Sequence, residues 1–282
     1  MKTILYATDY SDNSIAALKL AYALSKKLHT GLVVLHVFDI DVTLVSPVSI
    51  TYARLQKETF KKHRKNLTEF CATHLEIEPD GEKLQIAVDD NSLVWDGILE
   101  QCEEFGAELI VVGMKGGSKI NEILYGSTPK NLITRAPCPI LAVPENMAKL
   151  RIEHIIYATA FEQADIYAIE KLVDVYVRPL GATLHMLHIL TKKEYAGEDQ
   201  MEWFKEMLEQ KVSYANMNFE LLFSEDIFGT LTTYVSETNV DLLVLLEREG
   251  QGFLPSLTHR SLVKRMTSEN IIPLLSFNKK YL

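Results

Sequence analysis

Cysteine is scarce in this chain of 282 residues: Cys71, Cys102 and Cys138 are the whole set. They are far apart, odd in number and form no CxxC pair, which fits a reducing compartment better than a disulfide scaffold. Each is expected to be a plain buried or half-buried thiol. Positive charge is in deficit as well. Lys and Arg total 29 against 38 Asp and Glu, a net charge of −9. Non-specific binding to nucleic acid or an anionic membrane is therefore not expected, although a small basic pocket is compatible with that balance. No apolar run approaches the length of a membrane span. The opening MKTILYATD enters a strand-like run directly, without the h-region and cleavage site of a secretory signal. A cytoplasmic protein is expected. Catalytic signatures are missing too: there is no GxxxxGK(S/T), no GxSxG, no HExxH and no clustered Cys/His set.

What the chain does have is a repeat of itself. ILYATDYSDNSIAAL at 4–18 is answered by IIYATAFEQADIYAI at 155–169, a shift of 151. LVVLHVF at 32–38 is answered by LHMLHIL at 184–190, a shift of 152. AELIVVG at 107–113 matches VDLLVLL at 240–246, and PCPILAV at 137–143 matches IIPLLSF at 271–277, with shifts of 133 and 134. Four landmarks in one order indicate a duplicated domain. The boundary falls near PENMAKLRIEH, giving domains at 1–146 and 152–282.

Within a copy, strand-like and helix-like stretches alternate. In the first copy the strands are expected at 2–8, 31–38, 83–88, 107–113 and 139–143. Helices are expected between them, the first capped by Ser11 or Asp12 and carrying Ile15, Leu18, Tyr22 and Leu28 at helical spacing. A second is expected over 53–78 and a third over 92–105. Apolar strands without polar alternation imply a parallel sheet covered on both faces. Prolines at the start of the fifth strand suit an edge. Each half is therefore expected to be a doubly wound, Rossmann-like α/β domain.

Glycine is concentrated where chemistry is expected. The stretch VVGMKGGSKINEILYGST at 111–128 follows the fourth strand and leads into TPKNLITRA, a helix start with Pro129 in its first turn. Glycines let backbone N–H groups approach phosphate oxygens, and a helix N-terminus adds orphan donors and a positive dipole end. The same spacing also suits a plain turn with Ser127 as N-cap, and from spacing alone both readings stay open. In an open α/β sheet ligands bind where the winding direction reverses. If strands one and four are neighbours, Thr8-Asp9 lies beside Val112-Gly113 in one crevice.

Gly113, Gly116 and Gly126-Ser127 are spaced as G-x2-G-x9-G-(S/T). That spacing resembles the ATP-binding motif of the universal stress protein family. ILYATDYS, LHV, AELIVVG and CPILAVP also resemble that family, in order and spacing, and the likeness extends over both halves. The resemblance implies five-stranded parallel sheets of order 3-2-1-4-5 and an ATP, with Mg2+, in the first copy. It implies that Ala7, Thr8 and Asp9 lie against the adenosine, with Asp9 anchoring the ribose or a metal. The backbone at Val37 would read the adenine edge, and Val112 and Gly113 would pass under the nucleotide. Gly116, Gly126, Ser127 and Thr128 would cradle the phosphates, with Lys115 and Lys119 nearby to neutralise charge. Ala7 departs from the proline or valine of many ATP-binding relatives, a small change that need not affect binding.

The second copy departs further. Asp9 becomes Ala160, Gly113 becomes Leu246, Gly116 becomes Glu249, and Gly126-Ser127 falls near Arg260-Ser261. Glu247 and Glu249 would oppose a triphosphate. Arg248, Arg260 and Lys264 could offset that charge but would not restore the glycine cradle. The second copy is expected not to bind ATP in the family manner.

Other features have plain readings. His36 and His188, equivalent in the two copies, are expected to be half-buried histidines bonded to backbone. His185 and His188 should face opposite sides of one strand. The basic run KETFKKHRKN at 57–66 reads as a solvated helix face, or more sharply as a contact for an acidic partner. Trp95 and Trp203 are expected to pack into their own domains. No residue is clearly placed to activate water, so any ATP hydrolysis should be slow and no catalytic residue or protein metal site is assigned. The expected function is an ATP-binding stress-response module with an unknown protein partner. A weak ATPase or phosphotransferase and a nucleotide-independent dimerising scaffold remain alternatives. Family likeness also implies association through fifth-strand edges, as a homodimer or as a pseudo-dimer within one chain.

Overall fold

The structure is a computed structural model that describes residues 2–40, 50–77, 83–114, 127–147, 150–192, 197–248, 262–263, 265–267 and 271–282. The first half runs β1 (Thr3–Ala7), α1 (Asp12–Lys27), β2 (Gly31–Phe38), α2 (Ile50–Leu75), β3 (Leu84–Asp90), α3 (Val94–Glu104), β4 (Leu109–Met114), α4 (Ser127–Arg135) and β5 (Ile140–Pro144). The second half repeats it. Its strands are β6 (His154–Ala158), β7 (Thr183–Leu190), β8 (Met217–Phe223), β9 (Leu242–Glu247) and β10 (Leu274–Asn278). Its helices include α5 (Gln163–Leu172), α6 (Arg178–Leu180), α7 (Gly197–Glu209) and α8 (Ile227–Glu237).

All ten strands form one sheet in the order β3-β2-β1-β4-β5-β10-β9-β6-β7-β8. Each half is parallel with the order 3-2-1-4-5. Where the halves meet, β5 and β10 pair antiparallel, Leu141 opposite Leu275. The expected edge is thus an edge only within its own half. Pro139 precedes the strand and spends no N–H on the ladder, while its carbonyl accepts from Ile110 N at 3.1 Å.

Element starts reproduce the repeat shifts: 151 from β1 to β6, 152 from β2 to β7, and 133 from β3 to β8 and from β4 to β9. The change from 151 to 152 happens inside a helix. Between α5 and α6 the chain makes a π turn, Val173–Val177, which admits one extra residue without breaking the helix. Both helices then end in a left-handed residue at matching positions, His29 (φ 54°) and Gly181 (φ 69°).

Two apolar layers cover the sheet. One packs Leu18, Ala21 and Leu24 of α1 and Ile166 and Ile169 of α5 against Tyr6, Val111, Tyr157 and Val244. The other packs Ile98 and Leu132 against Leu5, Val33 and Ile110, and Leu231 against Leu243. On α1, Leu18 is fully buried as expected, whereas Ile15 is only half-buried and the inner face is completed by Ala17, Leu20 and Ala21. Trp95 is half-buried under the Arg135 guanidinium at 4.7 Å. Trp203 is 48 % exposed, against expectation, because Phe204 takes the inward position on α7.

Candidate functional site

The winding direction reverses between β1 and β4. Their register sets Ala7 opposite Val112, so Thr8-Asp9 leaves the sheet beside Gly113, where β4 continues paired to β5. The turn after β1 is built from its own side chains. Thr8 Oγ1 donates to Ser14 Oγ at 2.9 Å and accepts from Tyr10 N at 3.0 Å. Asp9 Oδ1 accepts from Ser11 N at 3.0 Å and from Ser11 Oγ. These bonds hold Tyr10 in the left-handed region at φ 62°, an uncommon conformation for a residue with a side chain. Ser11 is the N-cap residue of α1 but makes no side-chain cap bond, because Asp9 engages its hydroxyl.

The expected site residues divide by what they can offer. Ala7, Val37 and Val112 bury their side chains in the core, so only their backbones can meet a ligand. Val37 is well placed for that. Leu35 O accepts from Thr8 N at 3.0 Å. Backbone groups alternate along a strand, so the Val37 N–H and C=O face the same side, beyond the end of β1. The Thr8 hydroxyl is committed to the turn, and Asp9 is exposed. Gly113 has a packing reason of its own: a Cβ there would lie 2.6 Å from Asn13 O in the first turn of α1. Ser127 opens α4 and Thr128 follows it. Gly116, Gly126, Lys115 and Lys119 lie outside the described residues.

His36 sits under the turn. Its Nδ1 donates to Thr8 O at 2.8 Å, and in the second half His188 Nδ1 donates to Thr159 O at 2.7 Å. The backbone-bonded reading of both therefore holds, and both are buried rather than half-buried. The His36 ring also lies 4.2 Å from Tyr10 and 5.0 Å from His63, which stacks on Phe38 at 4.3 Å. Burial lowers the pKa of both histidines. The basic run on α2 is thus two-sided, with His63 turned to the sheet and Lys65 and Glu69 paired at 3.6 Å on the solvent side.

The same place in the second half is chemically different. Ala160 replaces Asp9, and Glu162 and Asp165 replace Ser11 and Ser14 at the shift of 151. Asp165 is fully buried. It accepts from Tyr157 OH at 2.8 Å, Thr159 Oγ1 at 3.2 Å, Ala160 N at 3.1 Å and Glu162 N at 3.0 Å. Arg248, just past the end of β9, donates to Asp165 Oδ1 at 2.6 Å and also pairs with Glu162. Burial opposes the Arg248 charge, but the two carboxylates outweigh it and raise its pKa. The guanidinium is therefore an internal partner of these two acids. Leu246 is buried in the core where the first half has Gly113. Glu249, Arg260, Ser261 and Lys264 lie outside the described residues.

Sequence reading missed this Arg–Glu–Asp group. Its signal was present in the repeat, where two serines become two acids at one fixed shift. It also missed that Cys102 Sγ and Cys138 Sγ lie 3.5 Å apart, both buried and free. Among the described residues no group of three potential metal ligands occurs, and no helix is long and apolar enough to cross a membrane.

The profile of the Universal stress protein family matches residues 1–144, half of the chain. Universal stress protein MJ0577 of Methanocaldococcus jannaschii is 32% identical over 152 residues, which cover 50% of this chain and 94% of that protein. Universal stress protein YxiE of Bacillus subtilis is 31% identical over 147 residues, covering 50% of this chain and 97% of that protein. A crystal structure of a universal stress protein from Archaeoglobus fulgidus superposes with a TM-score of 0.71 at 17% identity, covering 98% of both chains. A putative universal stress protein from Pseudomonas aeruginosa gives 0.56 at 15%, covering 99% of this chain and 93% of that one. The fold is thus an α/β architecture shared along nearly its whole length with these solved structures. The chain belongs to the universal stress protein family.

Proposed function

We propose that the first half, residues 1–146, binds one ATP with Mg2+ in the crevice between β1 and β4, and that the second half, 152–282, does not. The observation that carries the reading is the contrast between the two equivalent crevices. One has Asp9 and Gly113 at its strand ends, with serines at 11 and 14; the other has Ala160 and Leu246 and is cross-bonded by Arg248. In this reading the Val37 backbone meets the adenine edge and Asp9 holds the ribose or the metal. Gly116, Gly126, Ser127 and Thr128 meet the phosphates. Asp9 suits that part: Ser11 fixes one carboxylate oxygen, and the side chain is exposed to a ligand donor or a cation. Mg2+, when bound, would screen the phosphate charge.

Occupancy then biases a protein-facing surface, which requires the partner to prefer one ligand state. Native mass spectrometry of the purified chain is expected to show one nucleotide per chain, lost in Asp9→Ala and Gly116→Glu. Absence of copurified nucleotide, together with no calorimetric heat at about 1 mM ATP, would end this reading.

A further inference from the structure

The end of the second half reaches into the first. Asn278 is the last residue of β10 and is buried. Its Nδ2 donates to Thr134 O at 3.1 Å and Ile133 O at 3.5 Å, both carbonyls in the last turn of α4. Tyr281 OH donates to Arg135 O at 3.3 Å. The last carbonyls of a helix have no partner within it and form the negative end of its dipole. Here they are capped from the other copy. The Asn278 side chain is itself fixed, since its Oδ1 accepts from Lys280 N at 3.0 Å.

Two further facts give this clamp a direction. First, the capping residue is not repeated in the first half. Asn278 corresponds to Pro144 at the shift of 134, and proline has no side-chain donor with which to cap the second half in return. Second, it adjoins the second crevice. Lys279 Nζ lies 3.8 Å from the same Glu162 oxygen that Arg248 holds. A continuous chain of contacts thus runs from the second crevice through Lys279 and Asn278 to the carboxyl end of α4.

We propose that Asn278 and Tyr281 are positioning residues for the nucleotide site, so that the second half sets the affinity of the first. This rests on the reading of α4 as the phosphate-facing helix. That helix is nine residues long, about 13 Å, short enough for a bond at one end to set the position of the other. Capping at Thr134 and Arg135 fixes where Ser127 and Thr128 present their N–H groups.

The test uses the full chain, with ATP affinity by calorimetry and amide exchange of α4 by mass spectrometry without nucleotide. Asn278→Asp puts an acceptor against two carbonyls. It is expected to weaken ATP binding about tenfold and to speed exchange at 132–135. Asn278→Gln keeps a donor and should stay nearer wild type. Tyr281→Phe alters a more exposed contact, should leave folding intact and should weaken binding about two- to threefold. Wild-type affinity in both Asn278→Asp and Tyr281→Phe overturns the proposal and leaves the nucleotide reading standing. If the wild-type chain takes up no ATP, the nucleotide reading falls and affinity control falls with it. Unchanged α4 exchange in Asn278→Asp then removes the clamp as well.

Discussion

Gly113 and Leu246 occupy one position in two copies of a fold, and only one of them tolerates a side chain. In the first half the α1 backbone comes so close that a Cβ would sit 2.6 Å from Asn13 O and 3.1 Å from Ser14 Cα. Gly113→Ala must push the helix off the strand, at a cost of about 1–3 kcal/mol, seen as a lower urea midpoint. A Gly113→Ala chain as stable as wild type would contradict this geometry. The glycine was legible in the sequence as part of a spacing; its neighbour at Asn13 was not, because a backbone approach leaves no trace in residue type. His36 and His63 carry a pH consequence. Burial lowers both pKa values below the usual 6.5, so the unfolded chain takes protons that the folded chain resists. Their contribution to stability is complete above that ordinary value and is lost as pH falls from it through the lowered folded-state values. The urea midpoint should drop as pH falls below about 6.5, and His63→Phe, which keeps a ring against Phe38, should show a smaller drop.

At the level of elements, order and spacing could be read directly. Apolar strands at regular intervals gave the doubly wound halves, and the helix over 53–78 became Ile50–Leu75. Even the π turn had a sequence sign, the single-residue change in repeat shift. The Arg248 group was harder because its members are 83 and 86 residues apart and no local motif joins them. Its energetics follow from burial. Arg248→Met leaves the fully buried Asp165 carboxylate without its cation, a loss of about 3–5 kcal/mol, to be read from thermal or urea unfolding. Arg248→Met combined with Asp165→Ser and Glu162→Ser should recover most of that loss, since the first half manages with Ser14 and Ser11 at those places. No recovery in the triple variant would show that the guanidinium does more than balance the two acids.

For the whole molecule, the notable feature is that β5 and β10 pair within one chain. Family likeness pointed to fifth-strand edges, and both are used inside one chain. Among the described residues, the outermost strands of the sheet are β3 and β8. Light scattering is expected to give a single species near the chain mass of 32.0 kDa, and a stable species of twice that mass would refute it. Which of the two arrangements applied could not be read from the sequence, because the same strand pattern serves an internal and an external partner equally.

That antiparallel seam has a consequence for how such a chain can change. In a two-fold dimer every substitution is made twice, so a residue that closes one crevice closes both. With the copies fused, Arg248 can bridge one crevice while the other keeps Ser11 and Ser14, and Asn278 can face a proline counterpart. The join turns a symmetric pair into a molecule with two different ends, where one copy is free to specialise in holding the other.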